Sequence, residues 1–160
     1  MFREMRRKKQ AMSEAECRIV LQNGTSGVLA ISEGNGYPYA VPLSYVFQDD
    51  KIFFHCAKTG HKIDTITKND KASFCVIDQD QIVPERYTTY YQSVIAFGTV
   101  RVLEDEGEKR KAIEIFAAKY SPEDEAGRLK EIDKEFDILS MLELTIVHMT
   151  GKKAIELVKE

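Results

Sequence analysis

The chain has 160 residues, of which 43% are hydrophobic and 31% charged, and its formal net charge is −3. That length suits one domain, taken here as residues 1–160, and the composition excludes disordered and fibrous classes. The acidic balance argues against a general nucleic-acid binder, and no apolar run approaches the roughly 20 residues that span a bilayer.

The opening "MFREMRRKKQAMSE" is basic but has no apolar stretch behind it, so it does not read as a secretory signal. Its run Arg3, Arg6, Arg7, Lys8, Lys9 is expected to be a solvated tail. Ser13 followed by Glu16 is a capping-box signature, and Cys17, Val20 and Leu21 share a helical face. These predict a helix over 13–22, ended by Asn23-Gly24. "SGVLAISEGNGYPYAVPLSYVFQDDKIFFHCA" predicts three strands, joined by Gly-Asn-Gly at 34–36 and by Asp49-Asp50. Pro42 lacks an N–H for a ladder, so the middle strand is expected at an edge or bulged.

Residues 60–69 predict a short helix with Ile63 and Ile66 inward, and "KASFCVID" a fourth strand. "YTTYYQSVIAFGTVRVL" predicts a long fifth strand, in which Gly98 signals a bulge, a bend or a close approach. Helices follow over 105–120 and 122–136, the second with Ser121-Pro122 as N-cap and first-turn pair, and "MLELTIVHM" predicts a sixth strand. This order favours a mainly β (α+β) fold: an antiparallel six-stranded split β-barrel, Greek-key-like, with flanking helices.

Three scattered cysteines, Cys17, Cys56 and Cys75, argue against a disulfide framework and for a reducing cytoplasm. None of His55, His61 and His148 stands at metal-ligand spacing, so no metal site is expected. Thr59-Gly60-His61-Lys62 opens a helix, where free N–H groups and the dipole favour an anion. Cations there make sense if a bound phosphate offsets them; a solvated helix start is the plainer alternative. His55 faces away from Ile52, Phe54 and Cys56 on its strand, and its residues alone leave packing and chemistry both open. The tyrosines Tyr87, Tyr90 and Tyr91 could cover a ligand or an interface, or be ordinary strand aromatics.

Taken in order, "MRRKKQAMSEAE", "GVLAISEGNGYPYAVPLSYVF", "IFFHCAKTGHKID", "KASFCVID", "SVIAFGTVRVLED" and "HMTGKKA" carry a resemblance across essentially the whole chain. It resembles the flavin-binding split-barrel superfamily that includes pyridoxamine 5'-phosphate oxidase, and more closely its branch of Nim-type nitroimidazole-resistance proteins. The resemblance implies a homodimer with FMN at the subunit interface. Positions matching the ring-contacting strand run from Ala40 through Val41, Pro42, Leu43 and Ser44 to Tyr45. His55 and Cys56, with Ala57 after them, match the third-strand pair beside the cofactor. Gly60, His61 and Lys62 match the phosphate grip, and Ser93 matches a glutamine near the flavin. His61 stands where the oxidase has arginine, losing a permanently charged fork, and Ser93 shortens a ring contact. The chain has no tryptophan and ends "GKKAIELVKE", so oxidation of pyridoxamine phosphate itself is not expected.

In the Nim-type branch the histidine matching His55 lies beside the flavin and is implicated in activity, which makes His55 the candidate catalytic residue. The implied function is an FMN-dependent oxidoreductase, a reductase of small electron-poor molecules such as nitroimidazoles, related to antibiotic resistance. A flavin carrier without turnover is the alternative. A third reading is a haem protein with His55 or His148 as axial ligand. Partners are a second copy and a small-molecule acceptor, with no nucleic acid and no membrane.

Overall fold

A computed structural model describes residues 1–158. Helix α1 (Glu14–Asn23) begins with the expected capping box: Ser13 Oγ accepts from the Glu16 N–H at 3.2 Å, and a Glu16 carboxylate oxygen accepts from the Ser13 N–H at 2.7 Å. Strands β1 (Ser26–Ile31), β2 (Tyr39–Ser44), β3 (Val46–Gln48) and β4 (Lys51–Ala57) follow, then α2 (His61–Lys68), β5 (Lys71–Val83) and β6 (Thr88–Val102). Two helices, α3 (Glu106–Tyr120) and α4 (Glu125–Glu135), precede the last strand, β7 (Leu139–Lys153). No helix among the described residues is long and apolar enough to cross a membrane.

The sheet has seven strands, not six, in the order β2-β1-β5-β6-β7-β4-β3, and every named pairing is antiparallel. The extra strand arises because the expected middle strand breaks at Tyr45. Its first half pairs with β1 at one edge and its second half with β4 at the other. One residue therefore joins the two outermost strands, so the sheet must curl until its edges meet there. Tyr45 is fully buried, and its hydroxyl donates to the Leu21 carbonyl at 2.7 Å. From the end of α3, the Tyr120 hydroxyl lies 2.7 Å from both the Thr25 and Tyr45 carbonyls. Beside it the Lys119 ammonium bonds the Gly24 carbonyl and sits 4.4 Å from the Tyr45 ring centre. Pro42 lies in an edge strand, where its missing N–H leaves no ladder bond unmade.

The Asp49-Asp50 connection is a two-residue turn with φ of +52° and +61°. Aspartate tolerates that left-handed region better than most residues, and the twist matches an antiparallel pair. At Gly98 the β6–β7 register shifts, and a Cβ built there would lie 2.0 Å from the Thr145 carbonyl oxygen. Both the bulge and the close approach expected at this glycine are present. Helix α4 departs from expectation at its start. Its cap is Asp124, whose carboxylate accepts from the Gly127 N–H at 2.9 Å, rather than Ser121 with Pro122. Gly127 permits this because a side chain there would collide with that carboxylate.

Alternation along the strands divides the apolar residues into two clusters. Leu29, Ile52, Phe54, Phe74, Val94, Ala96 and Leu144 fill the barrel, closed at one end by Val20 and Leu21 of α1. Val46, Phe53 and Met141 on the outer surface pack instead against Ile113, Phe116 and Ile132 of α3 and α4. The helices thus cover only one side of the barrel. The outer faces of β2, β1, β5, β6 and the far half of β7 have no helix over them, and Val28, Ile77 and Ile95 are exposed there.

Candidate functional site

The strand β4 and the helix after it bring six of the sequence-predicted residues, His55, Cys56, Ala57, Gly60, His61 and Lys62, into one stretch. In β4, Ile52, Phe54 and Cys56 enter the barrel while His55 and Ala57 stay exposed. The His55 ring meets the Phe116 ring edge-on, with centroids 4.8 Å apart. After β4 the chain turns through Gly60, whose φ is +133° and beyond which a Cβ would meet nothing within 4 Å. Only glycine adopts that geometry readily, and it leaves open space at the start of α2.

The first intrahelical bond of α2 runs from the Asp64 N–H to the Gly60 carbonyl at 3.1 Å, and no side chain caps the helix. The N–H groups of residues 61–63 therefore point outward unmatched within the helix, the ordinary arrangement for an anion site. Lys62 is half-buried beside them. Among the described residues it meets no carboxylate within ion-pair distance. His61 behaves differently: its ring stacks on Tyr39 with centroids 4.2 Å apart, tying α2 to the first residue of β2.

Electrostatics links Lys62 to His55. Burial against the α3 side pushes the His55 pKa below its ordinary value of 6.5, and the Lys62 charge lowers it further. The imidazole is therefore neutral at neutral pH. Because the folded-state value lies below that of the unfolded chain, the contribution of neutral His55 is whole above about pH 6.5 and is lost as pH falls through the folded value. A proton-NMR titration should put the His55 midpoint below 6.5, and Lys62→Ala should raise it part of the way back. A midpoint unmoved by the substitution would mean that the ammonium does not reach the ring. Cys56 inside the barrel has its thiol pKa raised by burial, opposed by the same lysine, so it is no nucleophile at neutral pH.

Along β2 the side chains alternate. Val41 and Leu43 pack on the barrel core and Tyr45 is buried within it, whereas Pro42 and Ser44 are exposed on the outer face. Register then places Pro42 beside Val28, Val28 beside Cys75, Cys75 beside Ile95, and Ile95 beside Thr150. Cys75 is half-buried in this outer row rather than in the core. Ser93 lies on the same bare face, opposite Ile77 and Lys152.

Ser93 is not near His55 in the sheet. His55 pairs with Met141 of β7, while Ser93 pairs with Lys152, eleven positions further along that strand. At about 3.3 Å per residue this is about 36 Å of strand. Two residues escaped the sequence reading of the site. Lys119 has its pKa lowered by burial, and Tyr120 shares with it the Tyr45 carbonyl at the barrel closure. At helical spacing Ala112, Ile113, Phe116, Ala117 and Tyr120 make one apolar stripe, which marks Tyr120; nothing local marks Lys119.

The family model described as pyridoxamine 5'-phosphate oxidase matches residues 13–153. A search of curated proteins gives no match. Among solved structures, a candidate 5-nitroimidazole antibiotic resistance protein from Bacteroides thetaiotaomicron is 20% identical, with a TM-score of 0.78 over 89% of this chain and 86% of its own. The flavocytochrome Anf3 from Azotobacter vinelandii is 16% identical, with a TM-score of 0.79 over 94% of this chain and 72% of its own. An FAD-binding protein from Mesorhizobium loti is 22% identical, with a TM-score of 0.64 over 91% of this chain and 97% of its own. Those likenesses establish the split-barrel fold, and the family model, which spans most of the sequence, establishes kinship. The chain belongs to the pyridoxamine 5'-phosphate oxidase family.

Proposed function

We propose that this chain is a flavoprotein that binds FMN between two copies of itself and passes electrons to small electron-poor acceptors, nitroimidazoles among them. The observation that carries the reading is Lys62. A half-buried lysine without a carboxylate partner among the described residues, beside an uncapped helix N-terminus and an open glycine, fits a phosphate monoester. Gly60 and Lys62 hold the phosphate, with the N–H groups of residues 61–63. His61, engaged with Tyr39, orders the wall between phosphate and β2.

The outer face, which no helix covers and on which only Phe2 of the N-terminal segment stacks among the described residues, supports the second copy. Val28, Ile77 and Ile95 are exposed together on paired strands, and Pro42, Ser44 and Ser93 lie among them. One chain separates Ser93 from His55 by most of a long strand, so a cofactor touching both needs Ser93 from the partner. Bound flavin supplies a reversible electron carrier whose ring chemistry is its own. The chain's part is to fix the phosphate, exclude water from one ring face along β2, and present neutral His55 as a hydrogen-bonding group that adds no charge. The likeness to a candidate 5-nitroimidazole resistance protein supports the acceptor class.

Titration of purified protein with FMN should shift the flavin absorbance and raise the melting temperature. Addition of NADH or NADPH with a nitroaromatic acceptor should then give steady-state turnover. Absence of any FMN uptake overturns the reading. A flavin that binds but stays oxidised with every donor leaves a carrier in place of a reductase.

A further inference from the structure

The basic run near the N-terminus is docked, not free. Gln10 is buried, and its Nε2 donates to the Tyr91 hydroxyl at 3.2 Å and to the Lys153 carbonyl at 3.0 Å. Ala11 bridges to Lys152, and the Met12 N–H donates to the Gly151 carbonyl at 2.9 Å. A short 3₁₀ turn over Lys8–Gln10 is thereby fixed against the end of β6 and β7. It walls a cleft of about 570 Å³ lined by Arg6, Arg7, Lys8, Lys9, Gln10 and Ile155.

Four consecutive cations, all exposed, line it in a chain whose net charge is −3, and among the described residues no acidic one lines the cleft. Among the described residues only Lys8 of the four meets a carboxylate, an exposed pair with Glu4 at 2.8 Å. Arg7 instead reaches the Gln10 side-chain oxygen at 3.4 Å, and Arg6 and Lys9 have no ion-pair partner. These exposed like charges are screened by water and salt, yet side by side they favour a polyanion over a monoanion. That is more charge than a phosphate monoester needs and suits a diphosphate, whose oxygens take several charge-assisted bonds. Ile155, 52% exposed, offers apolar surface to a ribose or base. Register places the cleft beside Ser93, since Ala11 and Ser93 both pair with Lys152.

We propose that this cleft binds the diphosphate of a dinucleotide brought to the flavin. The phosphate grip at Gly60–Lys62 is a separate site. The inference rests on the flavin reading only for why a dinucleotide comes there. The diphosphate could belong to a reduced nicotinamide donor or to the adenylate half of FAD, and the binding experiment separates the two.

Equilibrium dissociation constants for NADPH, FAD and FMN would be measured by fluorescence on flavin-free full-length protein. The proteins compared are the wild type, Arg6→Ala/Lys9→Ala, and the charge control Lys130→Ala/Lys134→Ala on exposed α4 positions. The Arg6/Lys9 variant should weaken at least one dinucleotide about tenfold or more, leaving FMN and the control unchanged. Loss confined to NADPH supports the site and identifies the electron donor; loss confined to FAD supports it and identifies the cofactor. The proposal is overturned if the wild type binds neither dinucleotide, if the variant binds both as well as the wild type does, or if FMN or the control loses equally. If FMN fails to bind while NADPH binds through Arg6 and Lys9, the flavin reading fails and this site stands.

Discussion

If Lys62 grips the phosphate as proposed, Lys62→Ala should lower FMN affinity by about ten- to a hundredfold and leave riboflavin affinity nearly unchanged. A hydrogen bond to a charged partner contributes about 1.5–3 kcal/mol net, and each 1.4 kcal/mol is a factor of ten in affinity. FMN and riboflavin share the ring and ribityl chain and differ by the phosphate, so their ratio isolates the ammonium. The helix N-terminus survives the substitution, and its N–H groups retain part of the phosphate binding, which keeps the loss below complete. Lys62→Arg keeps the charge and should recover most of the affinity. Matched flavin titrations of the three proteins decide the point. An equal loss for FMN and riboflavin would mean that Lys62 supports the fold of the site and does not touch the phosphate.

Gly98→Ala destabilises the protein by about 3 kcal/mol, enough to remove a large share of the stability of a domain this size. A Cβ at residue 98 would lie 2.0 Å from the Thr145 carbonyl oxygen and 2.8 Å from its carbon. The obstacle is backbone, so no side-chain rotation relieves it. Either β6 and β7 separate locally, losing ladder bonds at the bulge, or the bulge moves and turns neighbouring side chains to the wrong face. Gly36→Ala makes the control, because a Cβ there meets nothing within 4 Å. Urea denaturation should show a lowered midpoint for Gly98→Ala and a midpoint near wild type for Gly36→Ala. Equal midpoints for both would mean that the β6–β7 bulge opens without cost.

Much of the site was legible because its signals are local. A glycine before two cations at a helix start conflicts with the dipole, and the structure keeps that conflict: Lys62 has no carboxylate among the described residues and α2 has no side-chain cap. His55 opposite Ile52, Phe54 and Cys56 follows from a period of two, and those three residues are core while His55 is exposed. The side chains of the basic run Arg6–Lys9 are solvated as expected, but the run is not a loose tail. Charge alone predicts a solvated tail, but Gln10, which carries no charge, anchors the run through partners at residues 91 and 153.

What the sequence by itself determined are features decided by neighbours along the chain. They are the Ser13–Glu16 capping box, the left-handed Asp49-Asp50 turn and the alternation of β4. What only the tertiary structure decided depends on partners far apart in sequence. Tyr45 ends one strand and begins another because Tyr120 and Leu21 hold it at the meeting of two sheet edges. Asp124 rather than the expected Ser121 caps α4. The separation of Ser93 from His55, and the strand faces that no helix covers, come from the β6–β7 and β4–β7 registers. Register is set by which faces are buried across the whole sheet, and no window of sequence contains that information.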